Sequence, residues 1–320
     1  MGKPRDRICE TRYSKEVSDL NTLIDLEPLL VRHREAHGWR ELSRAISLVE
    51  NSAPWDLVIP RADRRIHCVG VTGPPGAGKS TLIGRLIGAY TEAGARVGVI
   101  AVDPSSPLTG GAVLGDRLRM EQYLDRRGVF VRSMANRGSR GAIAAATHNV
   151  TRLLESSGSF DVIVIETVGA GQTEVSIASL ADTVLLVTVP GLGDAVQTIK
   201  AGSVEVADIV VVNMADRPGA AETARHFKLT LGRALPVLQT VAIDGRGIDA
   251  LRAVLDQRWA QLSSDGALDV RRSKAATAEA AWVAEEWARA CASRAHPDLP
   301  ATLRERVASI LKEAYTTWHG

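Results

Sequence analysis

The sequence predicts an α/β protein built around a doubly wound, largely parallel β-sheet. Seven short runs rich in β-branched residues lie between about residues 66 and 242, and the spacing between most of them leaves room for a crossover helix. The runs are continuously apolar, which is typical of strands covered on both faces. A glycine-rich loop and a helical pattern follow the first run, and this is the arrangement of a P-loop NTPase.

The N-terminal part, residues 1–60, is predicted to be a helical extension. Over residues 20–50 apolar residues recur at spacings of three and four, the period of an amphipathic helix. They are Leu23, Leu26, Leu29, Leu30, Trp39, Leu42, Ala45, Ile46 and Val49. The stretch "NSAPWDLVIP" then interrupts the pattern with two prolines, so we expect the extension to end near residue 60.

Residues 61–262 are predicted to form the doubly wound P-loop domain. In chain order the candidate strands are "HCVGVTG", "RVGVIAVD", "VFVRS", "DVIVIET", "TVLLVTVP", "DIVVVN" and "PVLQTVA". Ligands of such sheets bind at the carboxyl ends of the strands. The residues that follow each run are therefore the candidates for function.

Residues 263–320 are predicted to be a C-terminal helical arm. The strands stop after Leu262, and a linker, a long helix and a second helix opened by Pro300 are expected to follow. The apolar positions of these helices are Ala281, Trp282, Trp287, Val307, Ile310, Leu311 and Trp318. Such faces need a partner, and either a second subunit or the same chain satisfies that need.

Composition narrows the class of protein. Hydrophobic residues make up 45% and charged residues 24%, which is typical of a soluble globular protein. A net charge of +2 gives no reason to expect a nucleic-acid partner. The apolar runs are shorter than the ~18 residues of a membrane helix, and the N-terminus lacks a secretory signal, so we expect a cytoplasmic protein with no membrane partner. Cys9, Cys68 and Cys291 fit no metal-binding spacing and are expected to be inert reduced thiols.

The strongest motif is "GPPGAGKST", which matches G-x-x-x-x-G-K-[ST]. Its glycines allow backbone N–H groups to converge on a phosphate, and the helix that follows adds a partial positive charge. Lys79 is expected to reach the β- and γ-phosphate oxygens, and the Ser80 hydroxyl to bind Mg²⁺. The predicted nucleotide-binding residues of this loop are Gly73, Pro74, Pro75, Gly76, Ala77, Gly78, Lys79, Ser80 and Thr81.

Three carboxylates are candidates for the metal site. Asp103 and Glu166 end two of the apolar runs, and Asp116 lies in a glycine-rich loop between them. Mg²⁺ with a triphosphate takes one or two carboxylates, so the predicted metal ligands are drawn from Ser80 and these acids, and the catalytic candidates are Lys79, Asp103 and Glu166. Helix capping is the competing interpretation of the acids.

A glycine-containing loop follows Glu166. In a GTPase the N–H of Gly169 would contact the γ-phosphate, and the loop would respond to hydrolysis. An ordinary turn between a strand and a helix is the alternative.

The stretch "NMAD" resembles the guanine-reading motif N-K-x-D, with Met214 in place of lysine. Asp216 would accept hydrogen bonds from guanine N1–H and N2–H₂, a pair of donors that adenine lacks, and Asn213 belongs to the same loop. Met214 keeps the apolar contact of a lysine stem but not its ammonium, which predicts a guanine affinity weaker by ~1–2 kcal/mol. By position alone, Ala242 would donate its N–H to guanine O6. The alternative is a plain strand-to-helix turn capped by Asp216.

Several stretches together resemble the methylmalonyl-CoA mutase-associated GTPases, the MeaB-type G-protein chaperones of adenosylcobalamin-dependent acyl-CoA mutases. An older name for this family is arginine/ornithine transport ATPase. The stretches are "GPPGAGKST", "AVDPSSPLTGGAVLGDRLRM", "RGSRGAIAAAT", "IETVGAGQTE" and "IKAGSVEVADIVVVN". The resemblance covers about residues 40–290.

The resemblance implies a homodimer with a GTPase core, an N-terminal helical extension and a C-terminal dimerisation arm. It also implies that hydrolysis of GTP to GDP, with Mg²⁺, gates adenosylcobalamin loading and protects the partner mutase, which carries the adenosylcobalamin. By matching motifs, the phosphate and Mg²⁺ site would consist of Lys79, Ser80, Asp103, Asp116 and Glu166.

The resemblance further implies three mobile loops. Residues 104–118 and 167–174 would be the first and second switch loops, and residues 190–202 would contact the mutase. The third loop departs from the family pattern, since Ala195 replaces an acidic residue and Thr198 a glycine. The first switch reads "GDRLRM" where the family usually has "GDKTRM". These departures bear on which mutase is the partner.

Other functions remain open from the residues alone. A small-molecule or protein kinase, or an ATPase of transport type, would need an acceptor pocket and a catalytic base, and no motif indicates either. A nickel-handling GTPase would need clustered histidines or cysteines, whereas the seven histidines are dispersed. A non-hydrolysing binding subunit is disfavoured by the metal-site acids. No residue stands out as a general base for the attacking water. Gln172, near the second switch, could position it, but a polar residue of a mobile loop without that role is the favoured interpretation.

Overall fold

A computed structural model of the chain describes residues 23–36, 38–104, 128–136, 140–167, 177–191, 201–231 and 235–294. The strands are β1 (Ile24–Asp25), β2 (Leu57–Val58), β3 (His67–Thr72), β4 (Val97–Pro104), β5 (Val129–Asn136), β6 (Val162–Thr167), β7 (Thr183–Thr188), β8 (Ile209–Val212) and β9 (Val237–Gln239). β1 and β2 form a separate two-stranded sheet, and the others form one sheet in the order β5-β4-β6-β3-β7-β8-β9. Every pairing in this main sheet is parallel. All seven predicted strands and the α/β fold class are confirmed.

Helices cover both faces of the main sheet. They are α1 (Glu27–Ala36), α2 (Trp39–Asn51), α3 (Lys79–Glu92), α4 (Arg140–Ser157), α5 (Ile177–Leu180), α6 (Ala201–Val206), α7 (Ala220–Leu231), α8 (Ile248–Ser264) and α9 (Ala267–Arg294), and Pro54–Asp56 forms one 3₁₀ turn. Successive residues of a strand point to opposite faces. On β3, Val69 and Val71 accordingly pack with α3 and α8, whereas Cys68 packs with α2, α4 and α5.

The parallel register places the predicted functional residues at one edge. Glu166 of β6 pairs with Val71 of β3 on one side and with Ala101 of β4 on the other. Asp103 follows Ala101 along β4, and the phosphate loop follows β3 directly. Because all strands run the same way, their carboxyl ends meet at this edge, which we call the carboxyl edge.

The N-terminal helical pattern is interrupted in the structure. α1 and α2 flank Gly38, which has an extended backbone with φ −122° and ψ 156° and whose carbonyl accepts a bond from His33 Nδ1 at 2.7 Å. Of the predicted apolar positions, Leu23 is 62% exposed because it precedes β1, outside the helices. Seven others are buried in the core beneath the sheet, namely Leu26, Leu29, Leu30, Leu42, Ala45, Ile46 and Val49. The N-terminal helices therefore share a hydrophobic core with the main sheet.

The first half of α9 folds back on its own chain. Only Asp265 and Gly266 separate α8 from α9, a shorter linker than the sequence predicts. α9 packs against α4, α5 and α8, and Glu279 on α9 faces His148 on α4 with an Oε2–Nδ1 distance of 2.9 Å. The predicted second helix after Pro300 lies outside the described residues. Within the described ranges, no helix combines the length and apolarity that crossing a membrane would require.

Candidate nucleotide-binding site

The phosphate loop connects β3 to α3 through close backbone contacts. Gly73 has φ +142°, and a Cβ there would lie 2.0 Å from the Val187 carbonyl oxygen. Gly78 has φ +81°, and a Cβ there would lie 2.5 Å from Asn213 Nδ2. Gly78 is also the N-cap of α3 and provides no side-chain cap, so the first N–H groups of α3 are left for a ligand. The loop thus has the backbone geometry that phosphate binding requires.

Lys79 lies across this loop. Its side chain is buried, and Nζ donates hydrogen bonds to the carbonyl oxygens of Gly73 at 2.8 Å and Pro74 at 3.1 Å. A buried ammonium held inside the phosphate loop is placed to pair with phosphate oxygens through charge-assisted bonds. The predicted position of Lys79 agrees with this geometry.

Ser80 and Glu166 are brought together from α3 and β6. The Ser80 hydroxyl donates to Glu166 Oε1 at 2.7 Å, and Glu166 is buried. A hydroxyl and a carboxylate side by side form the kind of oxygen donor set that suits Mg²⁺. Glu166 therefore faces the first turn of α3, directly after the phosphate loop, which is the position that the metal-site interpretation requires.

The other predicted ligands are only partly located. The backbone of Asp103 lies near the end of β4, paired with Ala135 of β5 and on the strand next to Glu166. Asp116, Gly169 and Gln172 lie outside the described residues, as does most of the three predicted mobile loops. Among the residues that the structure describes, no three His, Cys, Asp or Glu side chains form a metal-binding group.

Asn213 joins three segments of the site. Its Nδ2 donates to the Ala77 carbonyl oxygen of the phosphate loop at 2.9 Å. Its Oδ1 accepts the Thr240 hydroxyl at 3.1 Å and the Ala242 N–H at 3.0 Å. Asn213 is only 2% exposed, so these bonds are shielded from water. The phosphate loop, the "NMAD" loop and the segment after β9 are therefore fixed relative to one another.

The structure changes the predicted role of Ala242. Its N–H is occupied by Asn213 Oδ1 and does not point freely to a ligand. An N–H engaged at 3.0 Å in a buried bond does not fit the predicted role of donor to guanine O6. Ala242 belongs to the expected segment, but in this structure it braces the site.

Met214 has an unusual backbone. It is the only non-glycine residue with positive φ in the described part of the chain, at φ 55°. Its terminal methyl group lies 3.7 Å from the position that a Cβ on Gly78 would occupy, so the thioether reaches the phosphate loop. This position agrees with the prediction that Met214 keeps an apolar contact without an ammonium.

Asp216 is exposed beside Met214. The turn here closes through Arg217 N–H to the Met214 carbonyl oxygen at 3.0 Å, and α7 begins only at Ala220. Among the described residues, the Asp216 carboxylate accepts no hydrogen bond that would cap the start of α7. Its exposure is compatible with the predicted contact with a base, which stays a prediction.

Two residues of the site were missed at the sequence level. The Thr240 hydroxyl donates to Asn213 Oδ1 and so orients that side chain. Its position directly before "VA", in the segment after β9, is the sequence feature that could have identified it. Arg85 on α3 donates from Nε to the Ala242 carbonyl oxygen at 3.0 Å and from Nη2 to the Ile243 carbonyl oxygen. No local pattern reveals Arg85, since its partners are far away along the chain.

Cys68 lies outside this site. It is buried, and its Sγ donates to the Leu180 carbonyl oxygen at 3.4 Å. Burial raises the pKa of the Cys68 thiol well above its usual value, with nearby Asp182 adding to the effect. Cys68 is therefore an unreactive thiol, as expected. The side chains of Cys9 and Cys291 lie outside the described residues.

Comparisons with known proteins place this geometry in a family. The family model "Methylmalonyl Co-A mutase-associated GTPase MeaB" matches residues 42–295. A Pyrococcus horikoshii protein, provisionally named as a GTPase, is 48% identical over 249 residues, covering 73% of this chain and 78% of the relative. The GTPase ArgK of Escherichia coli is 34% identical over 254 residues, covering 73% and 76%.

A solved structure supports the fold. The crystal structure titled as a LAO/AO transport system kinase superposes with a TM-score of 0.65 and covers 92% of this chain and 98% of its own. Its sequence identity is 24%, so the likeness supports the fold alone.

Proposed function

The chain belongs to the methylmalonyl-CoA mutase-associated GTPase family, and on that premise we propose that it is a Mg²⁺-dependent GTPase that gates adenosylcobalamin loading in a partner acyl-CoA mutase. The observation that carries the nucleotide part is Asn213. It binds the phosphate loop at Ala77 and stands three residues before the exposed Asp216, so one side chain aligns a phosphate site with a base-reading carboxylate.

The residues divide the work of binding. The N-terminal N–H groups of α3 and the Lys79 ammonium would bind the phosphates of GTP, because both place positive charge where negative charge develops during γ-phosphoryl transfer. Ser80 and Glu166 would hold Mg²⁺, together with Asp103 and Asp116. Held there, the ion would supply positive charge that neutralises part of the phosphate charge.

Selection of guanine is assigned to Asp216. Its carboxylate accepts two hydrogen bonds from guanine, whereas with adenine the same oxygens meet no matching pair of donors. The lost pair of hydrogen bonds would cost a few kcal/mol and so favour GTP over ATP.

The partner assignment rests on family membership. A mouse relative named "Methylmalonic aciduria type A homolog, mitochondrial" is 36% identical over 215 residues, covering 64% of this chain and 52% of the relative. Residues 190–202 are proposed to contact the mutase, and Ala195 and Thr198 distinguish this chain from the usual family pattern. A homodimer through the C-terminal arm is part of the proposal. The first half of α9 is engaged within its own chain, so the proposal places the contact with a second subunit in the later part of the arm.

The test is nucleotide turnover with and without a mutase. The protein is assayed with GTP or ATP, with and without Mg²⁺, alone and with a panel of adenosylcobalamin-dependent acyl-CoA mutases. We expect slow Mg²⁺-dependent GTP hydrolysis that one mutase accelerates, and little hydrolysis of ATP. Failure of every mutase to change the rate would refute the partner assignment, and tighter binding of ATP than of GTP would favour the kinase or transport-ATPase alternative.

An Asp216→Asn variant sharpens the nucleotide assignment. The asparagine amide presents a donor where the carboxylate presented an acceptor, so it should lose GTP and gain affinity for xanthosine triphosphate, whose C2 carries an oxygen. A variant that keeps its guanine preference would refute the role of Asp216.

A further inference from the structure

We propose that Arg85 is a positioning residue that ties the base segment, residues 240–243, to the helix of the phosphate loop and so replaces the tether that a lysine at position 214 would provide. The inference rests on the proposed binding of guanine nucleotides and adds to it a residue that the nucleotide motifs do not include. It is carried by three observations.

The first observation is the geometry of Arg85 itself. It lies on the second turn of α3, the helix that begins at Lys79. Its guanidinium donates to two consecutive carbonyl oxygens, those of Ala242 and Ile243. The planar fork of arginine suits two neighbouring acceptors, and each bond is charge-assisted.

The second observation is a closed loop of contacts. Arg85 binds the Ala242 carbonyl oxygen, the Ala242 N–H binds Asn213 Oδ1, and Asn213 Nδ2 binds the Ala77 carbonyl oxygen. Ala77 and Arg85 lie on the same stretch of chain, through the phosphate loop and α3. The two base-reading segments are therefore held between two points of the phosphate-binding element.

The third observation is what Met214 and Ile243 fail to provide. The methyl group of Met214 lies 3.7 Å from the position that a Cβ on Gly78 would occupy, and a thioether has no N–H to donate to the phosphate loop. The Ile243 side chain is 75% exposed, so burial does not anchor the segment there. The bond between Val241 N–H and the Arg246 carbonyl oxygen at 3.0 Å is local and does not reach α3. Backbone bonds of Thr240 to Val212 and Ala215 hold the segment to β8 and to the "NMAD" loop. Arg85 adds the polar contact that ties the segment to α3.

The experiment compares Arg85→Met with Arg252→Met. Arg252 on α8 also donates to a carbonyl oxygen of α3, that of Ala89 at 2.9 Å, but at the other end of the helix, away from the base segment. The dissociation constants of GDP and of pyrophosphate, which lacks a base, are measured for each full-length variant with its thermal unfolding. Arg85→Met should weaken GDP binding about five-fold and leave pyrophosphate binding within about two-fold. Arg252→Met should change neither constant.

Further variants distinguish positioning from general structure. Arg85→Lys restores one donor and should recover part of the GDP affinity. Met214→Lys should tighten GDP more in the Arg85→Met background than in the original protein, because the two tethers serve the same purpose.

Three outcomes would overturn the inference. They are unchanged GDP binding by Arg85→Met, an equal loss of pyrophosphate binding, or an equal loss of GDP binding by Arg252→Met. If the unaltered protein binds pyrophosphate but not GDP, the proposed guanine-nucleotide function fails with it. If the unaltered protein binds GDP and Arg85→Met binds it with the same dissociation constant, only the role of Arg85 fails.

Discussion

The polar side chains at the two edges of the main sheet differ in the partners that they bind. At the carboxyl edge, Lys79 bonds to carbonyl oxygens, Glu166 to a hydroxyl, and Asp216 is exposed. At the opposite edge, where the strands begin, buried acids are paired with arginines. We call this second group the amino-edge cluster, and it consists of His67, Glu155, Asp182, Asp208, Arg258, Arg271 and Arg272.

In one half of the amino-edge cluster, Asp208 is the shared acceptor. Its carboxylate accepts Arg258 Nη2 at 2.7 Å, Arg271 Nη2 at 2.7 Å and the Val184 N–H at 2.8 Å. Arg258 lies on α8 and Arg271 on α9, so one strand-start acid fastens two helices to the sheet.

In the other half, Arg272 is the shared donor. It donates to Asp182 Oδ2 at 2.8 Å, to Glu155 Oε1 at 2.9 Å and to the Ile66 carbonyl oxygen at 2.9 Å. Burial alone would lower the pKa of Arg272, but its bonds to Asp182 and Glu155 outweigh this and raise it. The acids of the amino edge are thus paired with arginines of the same chain and serve stability, whereas the groups of the carboxyl edge are proposed to bind a ligand.

Arg272→Met should lower the unfolding free energy more than any other substitution considered below, without changing the GDP affinity. It leaves Asp182 and Glu155 without their cation in a buried place, and loss of one partner of a buried ion pair costs about 3–5 kcal/mol. Urea unfolding measures the loss, and the GDP affinity of the folded fraction should not change. The control is Arg34→Met, which removes an exposed pair with Glu27 and should cost less than about 0.5 kcal/mol. Equal losses in the two variants would show that the amino-edge cluster does not stabilise the fold.

The pH dependence of the unfolding free energy should reveal the titration of His67, which lies at the amino edge. Burial lowers the pKa of His67 to about 4, and Asp182 offsets only part of this. The ring stacks on Trp259 with centroids 4.9 Å apart and bonds to Thr183 Oγ1 at 2.8 Å. Because the unfolded chain takes up this proton below about pH 6.5 and the folded chain only near pH 4, the stabilisation is complete above pH 6.5 and is lost as the pH falls toward 4.

The measurement compares the original protein with His67→Gln. Between pH 7 and pH 4.5 the original should lose roughly 2 kcal/mol more unfolding free energy than the variant, since all other groups titrate in both. Parallel pH profiles would contradict this account of His67.

Gly78→Ala should act mainly at the carboxyl edge. A Cβ at φ +81° is strained, and here it also meets Asn213 Nδ2 at 2.5 Å, which displaces the side chain that aligns the loops. We expect GDP binding to weaken at least about ten-fold and stability to fall by about 1–2 kcal/mol. Gly94→Ala is a matched control, because Gly94 has φ +82° and nothing within 4 Å of its Cβ position. It should lower stability similarly without affecting GDP, and a loss of GDP affinity there would assign the effect to backbone strain alone.

The contrast between the edges also explains what the sequence could reveal. The strands are predictable because continuous apolar runs such as "DVIVIE" depend on local chemistry, and the phosphate loop because its glycines and Lys79 are contiguous. Gly38 escaped notice because the apolar spacing resumes after it. The bonds of Arg85 and Arg272 join residues far apart along the chain, and only the folded arrangement reveals them.

Some signals of the amino-edge cluster were nevertheless present. Asp182 and Asp208 each stand directly before an apolar strand, in "ADTVLLV" and "ADIVVV", and Arg271 and Arg272 form a doublet near the start of α9. The pairing itself depends on the tertiary structure.

Met214→Lys should have the smallest effect, and it should strengthen GDP binding where Gly78→Ala weakens it. Both side chains are unbranched, so the cost of φ 55° at this position is common to them, and the difference isolates the end group. The added ammonium can donate to the phosphate loop that the Met214 methyl group now only touches, which should tighten GDP by about 1 kcal/mol. Met214→Leu keeps an apolar contact without the ammonium and should bind GDP as the original does. The preference for GDP over ADP should stay the same in all three proteins, because Asp216 sets it. A lysine variant that binds GDP no more tightly than the leucine variant would mean that Asn213 and Arg85 already supply the whole connection between the two loops.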